Sequence, residues 1–146
     1  MGQQQLLLIV LVVMIVAIAI FTGLSVFMSN KSDQNRQAII ADLISLGSKA
    51  QKYYKTPSQL GGGSNDFKGF YINPIDTGNG NGSYSVAAGS SPTGSNFIPG
   101  STSPITNTNS TIYIVGCGKD HGDNNTTPVK CYLTVTPSNS QITILN

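Results

Sequence analysis

Residues 6–28 read LLLIVLVVMIVAIAIFTGLSVFM. The stretch carries no charge, and residues 6–21 are apolar without a break. As a helix it is about 35 Å long, enough to cross a bilayer core of roughly 30 Å. A cleaved secretory signal would need a basic leading region and a small-residue cleavage site after a shorter apolar run. Residues 1–5, MGQQQ, contain no Lys or Arg, and no such site follows. The run is therefore expected to be kept.

Moving outward toward the C-terminus, the helical pattern continues past the apolar run. Residues 36–55 contain no proline, and Ile39, Ile40, Leu43, Ile44, Leu46, Ala50, Tyr53 and Tyr54 recur every three to four positions. That spacing predicts a helix with one buried stripe. Arg36, Asp42, Ser45, Lys49 and Lys52 fall largely off the stripe. Thr56-Pro57 ends the pattern, because proline disfavours helix in the residue before it, and Gly61-Gly62-Gly63 ensures a loop. A single helix over residues 3–55 would be about 80 Å long. One small domain cannot bury such a rod, so lipid, and then copies of the chain, must cover its first half. The polar residues 29–33 are expected to stay helical. Gly23 leaves two readings open, a break or a continuous helix that tolerates one glycine at about 1 kcal/mol.

After residue 60 the chain is dominated by Gly, Ser, Thr and Asn, so its core must be small. Alternating apolar positions predict strands at residues 110–117, 129–135 and 141–145, with weaker candidates at 67–72 and 83–87. Pro137-Ser138-Asn139 reads as the turn between the last two strands. Residues 89–108 read as a long ordered loop or flap, or as a mobile segment. The expected fold is α+β: a long N-terminal helix carrying a small antiparallel sheet closed by a disulfide loop. Residues 1–30 form the apolar helix, 31–56 its amphipathic continuation and 57–146 the β-rich head.

Cys117 and Cys131 are the only cysteines among 146 residues. In a chain with an export signal, an even count reads as a disulfide outside the cytoplasm. The alternation is read as setting Cys131 with Leu133, and Cys117 with Val115, on inward faces. The closed loop would be worth about 3 kcal/mol; the alternative is two unpaired buried thiols.

Charge is sparse, at 10% of residues, and the net charge is +2. No basic block suits nucleic acid, so none is expected as a partner. Cys117, Asp120 and His121 lie close in sequence, but a catalytic cysteine needs an activated, unoxidised thiol. The stretch reads as a surface loop, and no enzymatic activity and no cofactor are expected. Asp120 and Asp123 are weak candidates for calcium, since their spacing does not match an EF-hand loop; a solvated Asx turn is the simpler reading. Glycosylation sequons occur at Asn30, Asn81, Asn109, Asn124 and Asn125, at a density expected by chance in such a composition.

The apolar run at 6–28, the amphipathic stretch at 36–55, the late strands and the cysteine pair together resemble a type IV pilin. Residues 50–63, AQKYYKTPSQLGGG, are also similar to helix-end sequences of bacterial pilin-like proteins. The resemblance covers the full length in architecture, and its specificity rests mainly on the first thirty or so residues. In that family a peptidase cuts after a glycine ahead of the apolar run, which would place processing between Gly2 and Gln3; alternatively the mature chain starts at Met1. The family's acidic fifth residue is missing, since Gln5 or Leu7 stands there depending on the start. Gln3-Gln4-Gln5 would serve either as a hydrogen-bonded collar on the filament axis or as a polar cap at headgroup level.

By this resemblance the chain is expected to polymerise into an extracellular filament for adhesion, motility or surface attachment. Its partners would be identical subunits in a helical homopolymer, the inner membrane before assembly and the pilus assembly machinery. The packing residues would be Gln5, Leu6, Leu7, Leu8, Ile9, Leu11, Val13, Ile15, Ile18, Ile20, Phe21, Leu24 and Phe27. The alternatives are a minor pseudopilin of a secretion or DNA-uptake machine and a monomeric membrane-anchored binding module.

Overall fold

The computed structural model describes residues 2–92, 100, 102–122 and 127–146. Helix α1 spans Gly2–Lys55 without interruption. It runs through Gly23 and through the polar residues 29–33, so the break at Gly23 does not occur. Two hydroxyls in the apolar half turn back on the helix itself: Thr22 Oγ1 donates to the carbonyls of Ile18 at 3.0 Å and Ala19 at 3.1 Å, and Ser25 Oγ to that of Thr22 at 2.8 Å. Short 3-10 turns follow at Ser58–Leu60 and Pro74–Asp76.

Four strands, β1 (Gly82–Ala88), β2 (Ile112–His121), β3 (Pro128–Val135) and β4 (Ser140–Ile144), form an antiparallel sheet in sequence order. The turn between the last two closes where Thr136 N donates to Asn139 O at 2.8 Å. Residues 67–72 are not a strand. Gly69 sits at φ +85°, a conformation that favours glycine, and breaks the extended run there. The segment still places Phe67, Phe70 and Ile72 in the core. It is tied to the chain at residues 105–109 by Gly69 N to Ile105 O, Ile105 N to Phe70 O and Phe67 N to Asn109 O. The loop at 89–108 is thus ordered at its far end by backbone pairing; residues 93–99 and 101 lie outside the described residues.

The second half of α1 lies across the sheet. Ile39, Leu43, Leu46 and Ala50 meet Ile112, Ile114, Leu133 and Val135 in one core, with Tyr84 beneath. Close approach is possible because β2 carries Gly116 and Gly118 under the helix. A Cβ at Gly116 would stand 2.7 Å from Ile39 Cγ2, and one at Gly118 would collide with Asn35 Oδ1. Tyr53 stacks on Phe70 and Tyr54 on Phe67, with ring centroids 5.5 and 4.8 Å apart, which seals the C-terminal end of the helix.

The expected Cys117–Cys131 disulfide is absent, and both cysteines are free. The register explains why: Cys131 stands opposite Gly116, and Cys117 opposite Lys130. Successive side chains point to opposite faces of a sheet. Cys131 therefore faces the helix with Leu133, whereas Cys117 faces away from it with Tyr113 and Val115. Val115 is fully buried even so, as are Pro92 and its β1 neighbour Ser85. Burial thus extends to the outer face, where alternation alone would have placed solvent.

Candidate functional site: the uncovered apolar helix

A helix that is apolar on every side has no face to offer its own head. Accordingly residues 2–31 of α1 are all exposed. Leu6 is 66% and Phe21 74% exposed, and Leu7, Leu8, Ile9, Leu11, Val13, Ile15, Ile18, Ile20, Leu24 and Phe27 are likewise uncovered. The helix is long and apolar enough to cross a membrane, and none of its most apolar window is buried. An α-helix pairs the backbone groups of its interior within itself, and Thr22 and Ser25 bond back to it, so such a segment suits a medium that offers no water. Gly2, Gln3 and Gln5 stand at its exposed tip. Gln3 and Gln4 border a shallow groove with Leu7, Leu8 and Leu11.

The transition to the head is built from polar residues. Ser32 and Asn35 are the first buried side chains of the helix. Asn35 Nδ2 donates to Asn81 O at 2.9 Å, while Ser32 Oγ and Asn35 Oδ1 have no hydrogen-bond partner among the described residues. Lys31 pairs with Asp120 at 2.6 Å, and Arg36 with Asp33 at 2.8 Å. Exposed pairs of this kind contribute little stability, roughly 0–1 kcal/mol. Asp120, a weak calcium candidate, is thus engaged by Lys31; its companion Asp123 lies outside the described residues, as do Asn124 and Asn125. Among the described residues no group of three or more His, Cys, Asp or Glu side chains is placed to hold a metal.

The head is locked to the helix at Asp42. Its Oδ2 accepts hydrogen bonds from Tyr84 Oη at 2.5 Å, Asn79 Nδ2 at 2.8 Å and Asn81 Nδ2 at 2.9 Å. Burial works against ionisation of this carboxyl, but the bonds from Asn81, Tyr84 and Asn79 outweigh it and hold the pKa below its ordinary value. Burial, with the neighbouring carboxylate, pushes the Tyr84 phenol well up. The amide of Asn81 is therefore committed to structure, which argues against that sequon as a glycan site. Lys49 adds an ion pair to Asp76 at 2.6 Å on the same flank. The sequence marked Asp42 only as a polar residue off the stripe; no local motif reveals that Asn79, Asn81 and Tyr84 converge on it.

Neither cysteine is activated. Burial pushes Cys131 up to about 11, against a small opposing pull from Arg36, and raises Cys117 against a pull from Lys130. Cys117, Asp120 and His121 are strung along β2, a strand whose register shifts between Cys117 and His121.

Protein-family models, curated proteins and solved structures were compared with this chain, and nothing matches.

Proposed function

We propose that this chain is the structural subunit of an extracellular filament assembled in the manner of a type IV pilus. One observation carries the reading. A wholly exposed, uncharged helix is continuous with the helix that forms the core of the head. Burying apolar surface is worth roughly 25 cal/mol per Å², so this helix requires a cover. Lipid supplies one before assembly, with the chain anchored in the inner membrane. Other copies supply it after the pilus assembly machinery has moved the chain into the fibre, where the apolar halves form the axis and the heads the outer skin. Identical subunits joined by a non-closing operation give an open helical polymer. Adhesion, motility or surface attachment are the roles such a fibre serves. The Gln3-Gln4-Gln5 tip supplies donors and acceptors to neighbouring tips without the desolvation cost of a buried acid.

Negative-stain microscopy of material sheared from cells that express the full chain tests the reading. Fibres labelled by an antibody to the head are expected. Residues 31–146 expressed alone are expected to be soluble, monomeric at micromolar concentration and free of fibres. Polymerisation of that fragment would show that the helix is not the organising element. Full-length protein that stays in the membrane fraction without fibres would leave a monomeric anchored binding module instead.

A further inference from the structure

The turn that leads into β1 reads Asn79-Gly80-Asn81-Gly82, two Asn-Gly dipeptides in succession. A glycine carries no Cβ, so the backbone nitrogen after such an asparagine meets little hindrance on its way to the side-chain carbonyl. The fold treats the two dipeptides differently. The Asn81–Gly82 peptide is fixed on both sides. Asn81 O accepts from Asn35 Nδ2 at 2.9 Å and from Lys119 N at 3.2 Å, and Gly82 N donates to Asn79 Oδ1 at 3.0 Å. Gly82 also lies against β2, where a Cβ would stand 2.3 Å from Cys117 O. Asn79 and Gly80, by contrast, are exposed. Gly80 has open space where a Cβ would be, and its φ lies outside the left-handed region, so neither packing nor backbone conformation requires glycine there. The Asn79 amide is polarised from both ends. Its Oδ1 accepts from Asn81 N at 2.8 Å as well as from Gly82 N, and its Nδ2 donates to Asp42 Oδ2 at 2.8 Å.

We propose that Asn79 is a site of self-modification, where the chain deamidates and so loosens the Asp42 latch. Gly80 N gives up its proton and bonds to Asn79 Cγ, and the two N–H donors on Oδ1 stabilise the oxyanion that forms. The Cγ–Nδ2 bond then breaks, and Nδ2 leaves with a proton as ammonia, which closes a five-membered succinimide. Water adds to either carbonyl of that ring and opens it to aspartate or isoaspartate. The step needs no oxidant and no second protein. Its product carries an oxygen where Nδ2 donated to Asp42. Two carboxylates then face each other in place of a donor and an acceptor, and each disfavours the ionised form of the other. Lys49 is not free to relieve them: it borders the same hollow, but it is paired with Asp76 at 2.6 Å. Asn81 and Tyr84 stay on Asp42, so the latch is weakened and not abolished. The joint between helix and head thus has a chemical lifetime, set by one exposed dipeptide.

The test incubates the full chain in detergent micelles at mildly alkaline pH, beside a sample unfolded in guanidinium, and follows chymotryptic peptides by tandem mass spectrometry. In the folded chain Asn79 is expected to deamidate at least about tenfold faster than Asn81, because freeing the Asn81–Gly82 peptide breaks several hydrogen bonds. In guanidinium the two are expected to react alike. Equal rates in the folded chain, or an Asn79 that reacts only when the chain is unfolded, overturn the proposal. Gly80→Val crowds the attacking nitrogen. It is expected to slow the reaction at Asn79 and to leave the thermal melt of the head in place; an unchanged rate removes Gly80 N as the nucleophile and overturns the proposal too. A second arm reads the consequence for the latch. Asn79→Asp is expected to lower the melt of the head more than Asn79→Ala does. Adding Asp42→Asn to Asn79→Asp is expected to restore part of that loss, since donor and acceptor are then exchanged across the same contact. An Asn79→Asp chain that melts no lower than Asn79→Ala, or a double variant that restores nothing, overturns the loosening of the latch.

Discussion

Residues 2–31 and residues 32–55 lie on one unbroken helix, yet every side chain of the first group is exposed, while the second buries a stripe centred on Ile39, Leu43, Leu46 and Ala50. The difference lies in the pattern of apolar residues and not in their helix propensity. Where they surround the helix, no sheet can cover them, and the helix waits for lipid or protein. Where they recur every three to four positions, one face folds onto a sheet and the rest meets water. A single rigid element can therefore belong to two different environments. The change falls at Ser32 and Asn35, where burial begins on polar side chains.

Charge and cavity substitutions separate the halves most sharply. Val13→Asp puts an unpaired acid among packed helices or in lipid, at a cost of several kcal/mol. It is expected to abolish fibres while the denaturant midpoint of the head stays where it was. Leu43→Ala acts in the reverse sense. Leu43 is fully buried, so the cavity should destabilise the head by about 2–5 kcal/mol, read by urea unfolding of residues 31–146, and leave membrane insertion of the full chain intact. If Val13→Asp weakens the head as much as Leu43→Ala does, the two halves are not independent and the comparison breaks.

A smaller effect should follow pH. Folding lowers the pKa of Asp42 below the ordinary carboxyl value, because the bonds from Asn81, Tyr84 and Asn79 outweigh its partial burial. A carboxyl lowered on folding stabilises the native state above its unfolded pKa and loses that contribution as pH falls through the folded value. The head should therefore hold its stability down to about pH 4 and lose it progressively below. Asp42→Asn should flatten that acid limb in a urea series measured from pH 2 to pH 7. Part of the slope should remain, since Asp66 is also lowered, chiefly by the backbone N–H of Asn109. An unchanged acid limb in Asp42→Asn would mean that the Tyr84 and asparagine bonds do not hold the helix to the head as their geometry implies.

The helix was legible because its signals are local. The unbroken run at 6–28, the stripe from Ile39 to Tyr54 and the stop at Thr56-Pro57 each act within a few residues, and α1 ends at Lys55. The late strands were legible for the same reason, since Val129, Cys131, Leu133 and Val135 alternate cleanly on β3. What the sequence hid depends on contacts between distant segments. Ile40 and Ile44 fit the apolar spacing as well as Leu43 does, but the width of the sheet leaves them on its flank. The carboxylate of Asp42 collects partners from residues 79–84, and nothing in its own neighbourhood announces them. Residues 67–72 carry a strand-like composition, but Gly69 turns the chain. Val115 sits on the outer face, yet it is as buried as the core, and Pro92, after β1, is buried as well.

The smallest effect is expected from reduction. Pairing the two cysteines from sequence assumed that both face inward, but they sit one position out of phase across the β2–β3 ladder. To join them on one face, β3 would have to slip by one residue, and such a slip turns every side chain to the other side. Leu133 and Val135 would then leave the core for solvent, at a cost far above the roughly 3 kcal/mol that a bridge closing so short a loop supplies. The packed register therefore wins over the bridge. Reductant should leave the melting temperature of the head unchanged, and mass spectrometry of alkylated, unreduced protein should find both thiols labelled. The two positions should still differ under mutation. Cys117→Ser lies on the half-exposed face and should shift stability by no more than about 0.5 kcal/mol, whereas Cys131→Ser sets a hydroxyl among apolar side chains and should cost about 1–3 kcal/mol. A melting temperature that falls on reduction, together with one unlabelled cysteine pair, would place the strands in a different register and turn Leu133 and Val135 away from the helix.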